Sequence, residues 1–582
     1  MTLLPKYDLH KPRNSDAMAK RKNFLNAIAR SWFNRLLLWF LPLSFLAVFF
    51  FFPFFRILAF SFNVDTLQIS NLQLAFHVLS FTFYQAILST LLTLIIGLPA
   101  AYLFARFEFR NKNLLRALTA VPFMLPTVVV AAGFNALLGP RGWVNLSLMN
   151  IGGLDSPPIQ FVGTLGAILL AHIFYNTTIV IRIAGNALSR LDPKLEQAAR
   201  SLGANSRRLW WNIRLPLLLP SLMAAALLVF LFDFTSFGVI LLLGGPTFAT
   251  LEVQIYIQAL QMLNLPLSAL LAFIQLLCTL AFAILYTRIS SRSIVQTAPG
   301  SPGGYLRKPK GVREKLFVSG MLILLITFFI LPLLALPLRS VTRLDANRGE
   351  RNPVSRGLTD EYYTELFVNR QSSIFYVPPV QAAVNSLAYA AATVVLSILL
   401  SFPAAWALAK PGRLERILDP ILIIPLGSSA VTLGLGFILA FGRWLTFPWL
   451  VPLAHTLVAL PFAIRTLQPA LASIPDRLRQ AAASLGASPL QVWQTVDWPI
   501  IRRATLTAAI FAFTISLGEF GATTVISRPN YPTIPIAIYR FLSQPGGSNY
   551  GQAMAMATIL MALTTTGILM IEKLRLPGAG EF

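Results

Sequence analysis

Twelve segments of this 582-residue chain stay apolar for about 20 residues or more, the length a helix needs to cross a ~30 Å hydrocarbon core. They run 36–55, 83–105, 117–139, 162–186, 216–245 and 264–287, then 316–338, 382–409, 418–441, 448–470, 501–527 and 550–571. In lipid each backbone N–H and C=O must be satisfied within its own segment, so these runs predict helices. Only 12% of residues are charged, against roughly 25% in soluble globular chains, too few to coat a water-facing surface. The expected fold class is an all-α polytopic membrane protein. The apolar run after the basic N-terminus is long and no small-residue cleavage site follows, so it reads as a retained span.

Twelve spans put both termini on one side. That side collects 36 of the 47 lysines and arginines; six of the other 11 lie in the single loop 339–380, where acidic residues nearly balance them. Basic loops stay cytoplasmic, which places both termini inside and accounts for the net charge of +25 without nucleic acid. The single cysteine, Cys278, sits in an apolar run and excludes an intrachain disulfide or a cysteine metal site.

The chain repeats itself. Residues 171–220 match 454–503 without a gap at a shift of 283, with 16 identities in 50 positions. Ala171-His172 falls on Ala454-His455, Arg182 on Arg465, and Phe237-Gly238 on Phe520-Gly521. Thr250, Ile255 and Tyr256 fall on Thr533, Ile538 and Tyr539 at the same shift. Earlier, Pro99-Ala100-Ala101 resembles Pro403-Ala404-Ala405 at a larger shift, because the first half has a longer loop near 140–160. The expected organisation is a basic tail (1–35), a first repeat (36–288), a basic Pro/Gly-rich linker (289–315), a second repeat (316–573) and a tail (574–582). Six spans per half is an even number, so the halves insert in the same orientation about an axis along the membrane normal.

After the fourth span of each half comes a polar segment on the basic side: Leu191–Pro216 and Ile474–Pro499. Each predicts a short amphipathic helix, a bend at Gly203 or Gly486, and a second short helix ending at the proline that opens the next span. These segments resemble the cytoplasmic loop of type I binding-protein-dependent ABC importers, which reads Glu-Ala-Ala, then Gly four residues on, then an apolar residue and Leu-Pro. Gln197, Ala198, Ala199, Gly203, Ile213 and Pro216 occupy those positions, as do Gln480, Ala481, Ala482, Gly486, Val496 and Pro499. Gln replaces Glu in both copies, and Trp498 replaces Leu in the second.

The resemblance implies the type I permease fold in a prokaryotic plasma (inner) membrane, with each loop docking on one of two ATPase copies. It also implies an extracytoplasmic binding protein that delivers cargo. No lysine directly follows a glycine, so the chain lacks a P-loop. ATP and Mg would be used by the partners, and this chain would bind no cofactor and catalyse nothing itself. An interfacial helix in the headgroups is the plainer reading of one such loop; two copies in register on one side argue against it.

Ionisable groups at membrane depth are functional candidates. Here they are Asp233 and Glu519 in the fifth spans and the matched His172 and His455 in the fourth. They either line the translocation path or fix helix packing. No metal-spaced His/Cys cluster occurs. The alternative class, an ion-coupled secondary transporter with 6+6 spans, needs more membrane-depth carboxylates or unwound midplane helices and would not need the loop motif. Double-length subunits of this kind resemble the iron(III) and thiamine importer group. Gly518–Gly521, Thr533–Tyr539 and the ending Ile571-Glu572-Lys573-Leu574 look like thiamine permeases, and similar pieces occur in sulfate and molybdate permeases. Iron(III) and thiamine stand as equal expectations for the cargo.

Overall fold

The computed structural model describes residues 38–62, 68–191, 193–294, 306–343, 357–368 and 378–574. Among these, ten unbroken helices are long and apolar enough to span a membrane. The first half contributes Leu38–Ser61, Ile69–Arg106, Leu165–Ser189, Arg207–Phe234 and Leu265–Ser290; the second contributes Gly311–Ser340, Pro379–Ala409, Leu450–Ala472, Pro489–Gly518 and Gly547–Ile571. They fill the first, second, fourth, fifth and sixth places of each half.

The third place differs from the expected continuous span. Lys112–Met124 and Thr127–Gly152 meet at a bend of 108°. Pro122 and Pro126 lack the N–H that would continue the helix, and Leu125, preceding Pro126, is extended with φ −72° and ψ 144°. The basic, amphipathic piece before the bend suits a headgroup surface, and the apolar piece after it enters the bundle. Pro420 and Pro425 interrupt 418–441 in the same way, leaving Arg413–Ile423, a tight turn at Ile424–Gly427, and Ala430–Phe441.

The fifth segments are also shorter than expected. The helix expected over 216–245 stops at Phe234, and the chain rewinds as Ile240–Gly244 and Leu251–Tyr256. In place of a continuous 501–527, the helix stops at Gly518 and resumes as Gly521–Ile526 and Ile534–Leu542. Helix enters the expected linker from both ends, reaching Ile294 and starting again at Gly311. The tail 1–35, residues 295–305 and the tail beyond 574 lie outside the described residues.

Within each half the second, fourth and fifth spans pack together. The second spans allow close approach through buried Ala86, Ser89 and Thr93 and their counterparts Ala390, Thr393 and Ser397. Between halves the first spans change places: Gly311–Ser340 packs on Thr127–Leu138, and Phe52–Ser61 packs on Ala430–Phe441. Glycines set both contacts. A Cβ on Gly133 would lie 2.9 Å from the Pro332 carbonyl oxygen, and one on Gly436 would lie 3.0 Å from Pro53 Cβ. Gly133→Val is therefore expected to cost about 1–3 kcal/mol through overpacking and to lower the thermal midpoint in detergent. Gly320→Val, whose added Cβ meets nothing within 4 Å, is the control that leaves the midpoint unchanged.

Candidate functional site

Each polar loop folds into an elbow. In the first, the helix Pro193–Ser201 ends at Gly203 with φ +82°, and the Ala204 N–H donates to Ala199 O at 3.0 Å, closing a left-handed glycine cap. In the second, Asp476–Ser484 ends at Gly486 with φ +84°, and Ala487 N–H donates to Ala482 O at 3.1 Å. The chain then winds up into the fifth spans, with Pro216 and Pro499 in their first turns.

The motif residues take equivalent places in both elbows. Gln197, Ala198, Gly203 and Pro216 are exposed, as are Gln480, Ala481, Gly486 and Pro499. Ala199 and Ile213 are half-buried, as are Ala482 and Val496. At each tip stands a leucine the sequence reading passed over: Leu202 and Leu485 are each 89% exposed. Two large apolar side chains therefore stand exposed at the same position of the two repeats.

The elbows are braced against the fifth spans by an ion pair of opposite polarity in each half. Arg214 grips Glu196 with two hydrogen bonds, from Nε at 2.9 Å and Nη2 at 2.8 Å, and Arg106 also donates to Glu196. At the matched positions of the second half, Arg479 Nε donates to Asp497 Oδ1 at 2.8 Å. Lys410 stands where Arg106 does and donates to Asp476 at 2.5 Å. Even the aromatic beneath is matched, Arg214 lying 5.8 Å over Tyr102 and Arg479 5.1 Å over Trp406. The exchange of Glu196/Arg214 for Arg479/Asp497 is visible once the copies are aligned, as two reversed charges at one register.

Burial alone would raise the Glu196 carboxyl, but the Arg214 hydrogen bond and the charges of Arg106 and Arg214 outweigh it and hold the group below its ordinary value. A carboxyl depressed in the folded state contributes stability above its unfolded pKa of about 4.3 and loses it as pH falls through the folded value. The first elbow should therefore resist limited proteolysis at Arg207 and Arg208 equally from pH 8 to about 5, and open only below about 4.3.

The intramembrane candidates meet in pairs. His172 Nε2 lies 2.8 Å from Ser236 Oγ, its Nδ1 lies 3.4 Å from Asp233, and Asn176 donates to Asp233 at 2.6 Å. His455 Nδ1 lies 2.7 Å from Ser516 Oγ, and its Nε2 lies 2.8 Å from Thr523 Oγ1 and 3.2 Å from Glu519. Ser516 is the counterpart of Asp233 and Glu519 that of Ser236, so acid and serine have traded places around a fixed histidine. All four candidates are buried. A further carboxylate missed by the sequence reading, Glu252, is buried between halves, where Ser429 donates to it at 2.7 Å and Gln275 also donates. Among the described residues no group of three His, Cys, Asp or Glu could hold a metal ion.

Residues 94–295 match the family described as binding-protein-dependent transport system inner membrane component. With two interlocked halves, an elbow on each and ten apolar helices among the described residues, the chain is a multi-pass membrane protein similar in build to fused, double-length ABC importer permeases. Among its relatives, the thiamine transport system permease protein of Escherichia coli is 27% identical over 86% of this chain and 89% of its own length. That of Brucella abortus is 28% identical over 85% and 87%. A solved bacterial ABC transporter that imports alginate is 18% identical, covering 46% of this chain and 99% of its own, with a TM-score of 0.39.

Proposed function

We propose that this permease moves thiamine inward by alternating access, with two copies of a separate ATPase subunit docked on the elbows and a binding protein docked on the opposite face. One observation carries the reading of the elbows as coupling sites: Gly203 and Gly486 share one left-handed conformation, and each displays an exposed leucine one residue earlier. Mg·ATP would be bound and hydrolysed by the partners, and both termini would be cytoplasmic, the side that the basic loops favour. Thiamine is preferred to iron(III) because relatives aligned over most of the chain, those of Escherichia coli and Brucella abortus among them, are named for thiamine.

The test is reconstitution of the permease with its ATPase in proteoliposomes, with a thiamine-loaded binding protein outside. Uptake of labelled thiamine that requires ATP and Mg supports the proposal. Uptake driven by an ion gradient without the ATPase, or uptake of iron(III) but not thiamine, overturns it.

A further inference from the structure

In a body built from two like-oriented halves, a residue can touch its own counterpart only if it lies on the axis that relates them. Phe237 and Phe520, counterparts in the repeat, stack with ring centroids 5.5 Å apart and planes at 28°. Each ring also meets a tyrosine of its own half, Phe237 with Tyr256 at 5.6 Å and Phe520 with Tyr539 at 5.7 Å. Those tyrosines are counterparts too. Four rings from two matched pairs therefore close the axis, along which a path between the halves must run. Beside them is a cavity of about 140 Å³ lined from both halves, by Asn135, Leu242, Tyr539 and Ser543 among others.

We infer that this quartet is the selectivity constriction of the path, and that it takes a flat organic cation by stacking on the ring faces. The inference rests on the thiamine reading and deepens it. Aromatic faces attract a delocalised cation through their quadrupoles. A hydrated metal ion demands about six oxygen ligands, and the quartet offers only the two phenol groups of Tyr256 and Tyr539. The neighbouring acids do not alter this, because Asp233 and Glu519 are held by Asn176, His455 and Thr523 within their own halves. The helix breaks place the rings: each fifth span ends just before its phenylalanine, and the glycine that follows packs against the third segment. A Cβ would lie 2.3 Å from Thr127 Oγ1 at Gly238 and 2.8 Å from Ala430 Cβ at Gly521.

The experiment uses the complete reconstituted complex and labelled thiamine, read as thiamine moved per ATP hydrolysed. If the wild-type complex moves no thiamine, the proposed function fails, and this inference with it. Given wild-type uptake, the double variant Phe237→Leu/Phe520→Leu keeps the bulk and apolarity but removes the stacked faces. Its yield per ATP should fall about 10-fold, and that of the single Phe520→Leu about 3-fold. Phe237→Tyr/Phe520→Tyr, which keeps the faces, should stay within about 2-fold of wild type. A leucine variant that transports like wild type, or a tyrosine pair as impaired as the leucine pair, overturns the assignment while leaving the proposed function standing.

Discussion

Gly203→Val and Gly486→Val should each cut ATP-driven uptake about tenfold or more while the protein still inserts in the membrane. Both glycines lie at φ near +80°, a conformation that costs an L-residue roughly 1–2 kcal/mol, and more when it is β-branched. A Cβ at either position would meet nothing within 4 Å. Steric crowding is thus removed as a cause, and the whole effect comes from the backbone. To escape the left-handed region the elbow must reopen, which swings Leu202 or Leu485 off its bearing. Asn tolerates this conformation, so Gly203→Asn and Gly486→Asn should retain most of the uptake. The measurement is thiamine uptake against ATP hydrolysis in the same vesicles; Val variants with wild-type coupling would contradict the docking role.

Reversing one charge of the brace should be at least as damaging, and completing the reversal should repair it. Glu196→Arg sets a third cation beside Arg106 and Arg214, both mostly buried against the fifth-span root. Breaking a largely buried pair in this way costs on the order of 3 kcal/mol, roughly 100-fold in correct seating of the elbow. The second half already holds the mirror-image solution, Asp476 and Arg479 with Asp497. The triple variant Pro193→Asp/Glu196→Arg/Arg214→Asp transplants that set into the first elbow, and Arg106 then faces an acid as Lys410 does. Uptake in the triple variant should return to within a few-fold of wild type. A triple variant as inactive as Glu196→Arg would show that the charges contact the ATPase rather than each other.

The sequence carried most of the frame because lipid imposes one-dimensional rules. Apolar length marks the spans, and glycine at a required left-handed position marks the bend. What it hid has physical reasons. Averaged hydropathy runs straight through Leu125-Pro126, although Pro122 and Pro126 already announce the break in the third segment. The fifth segment looked longer than it is because 239–243 is as apolar as a span, yet belongs to a separate, largely buried piece packed on the third and fourth segments of its own half. All four intramembrane candidates stand out in the sequence, but the pairing of His172 with Asp233 and of His455 with Glu519 does not, because the acid and serine exchange positions and the acids do not align. The bond from Ser429 to Glu252 joins residues from different halves, which leaves no local pattern in either. The matched phenylalanines and tyrosines were plain in the repeat. Only the geometry shows that Phe237 meets Phe520.

If the two halves share one orientation, both elbows face the same compartment. With Cys278→Ser as background, a single cysteine at Leu202 or Leu485 can be labelled by a membrane-impermeant maleimide in intact cells and in inverted vesicles. Both positions should react in inverted vesicles and neither in intact cells. Labelling of either one from outside the intact cell would contradict the arrangement.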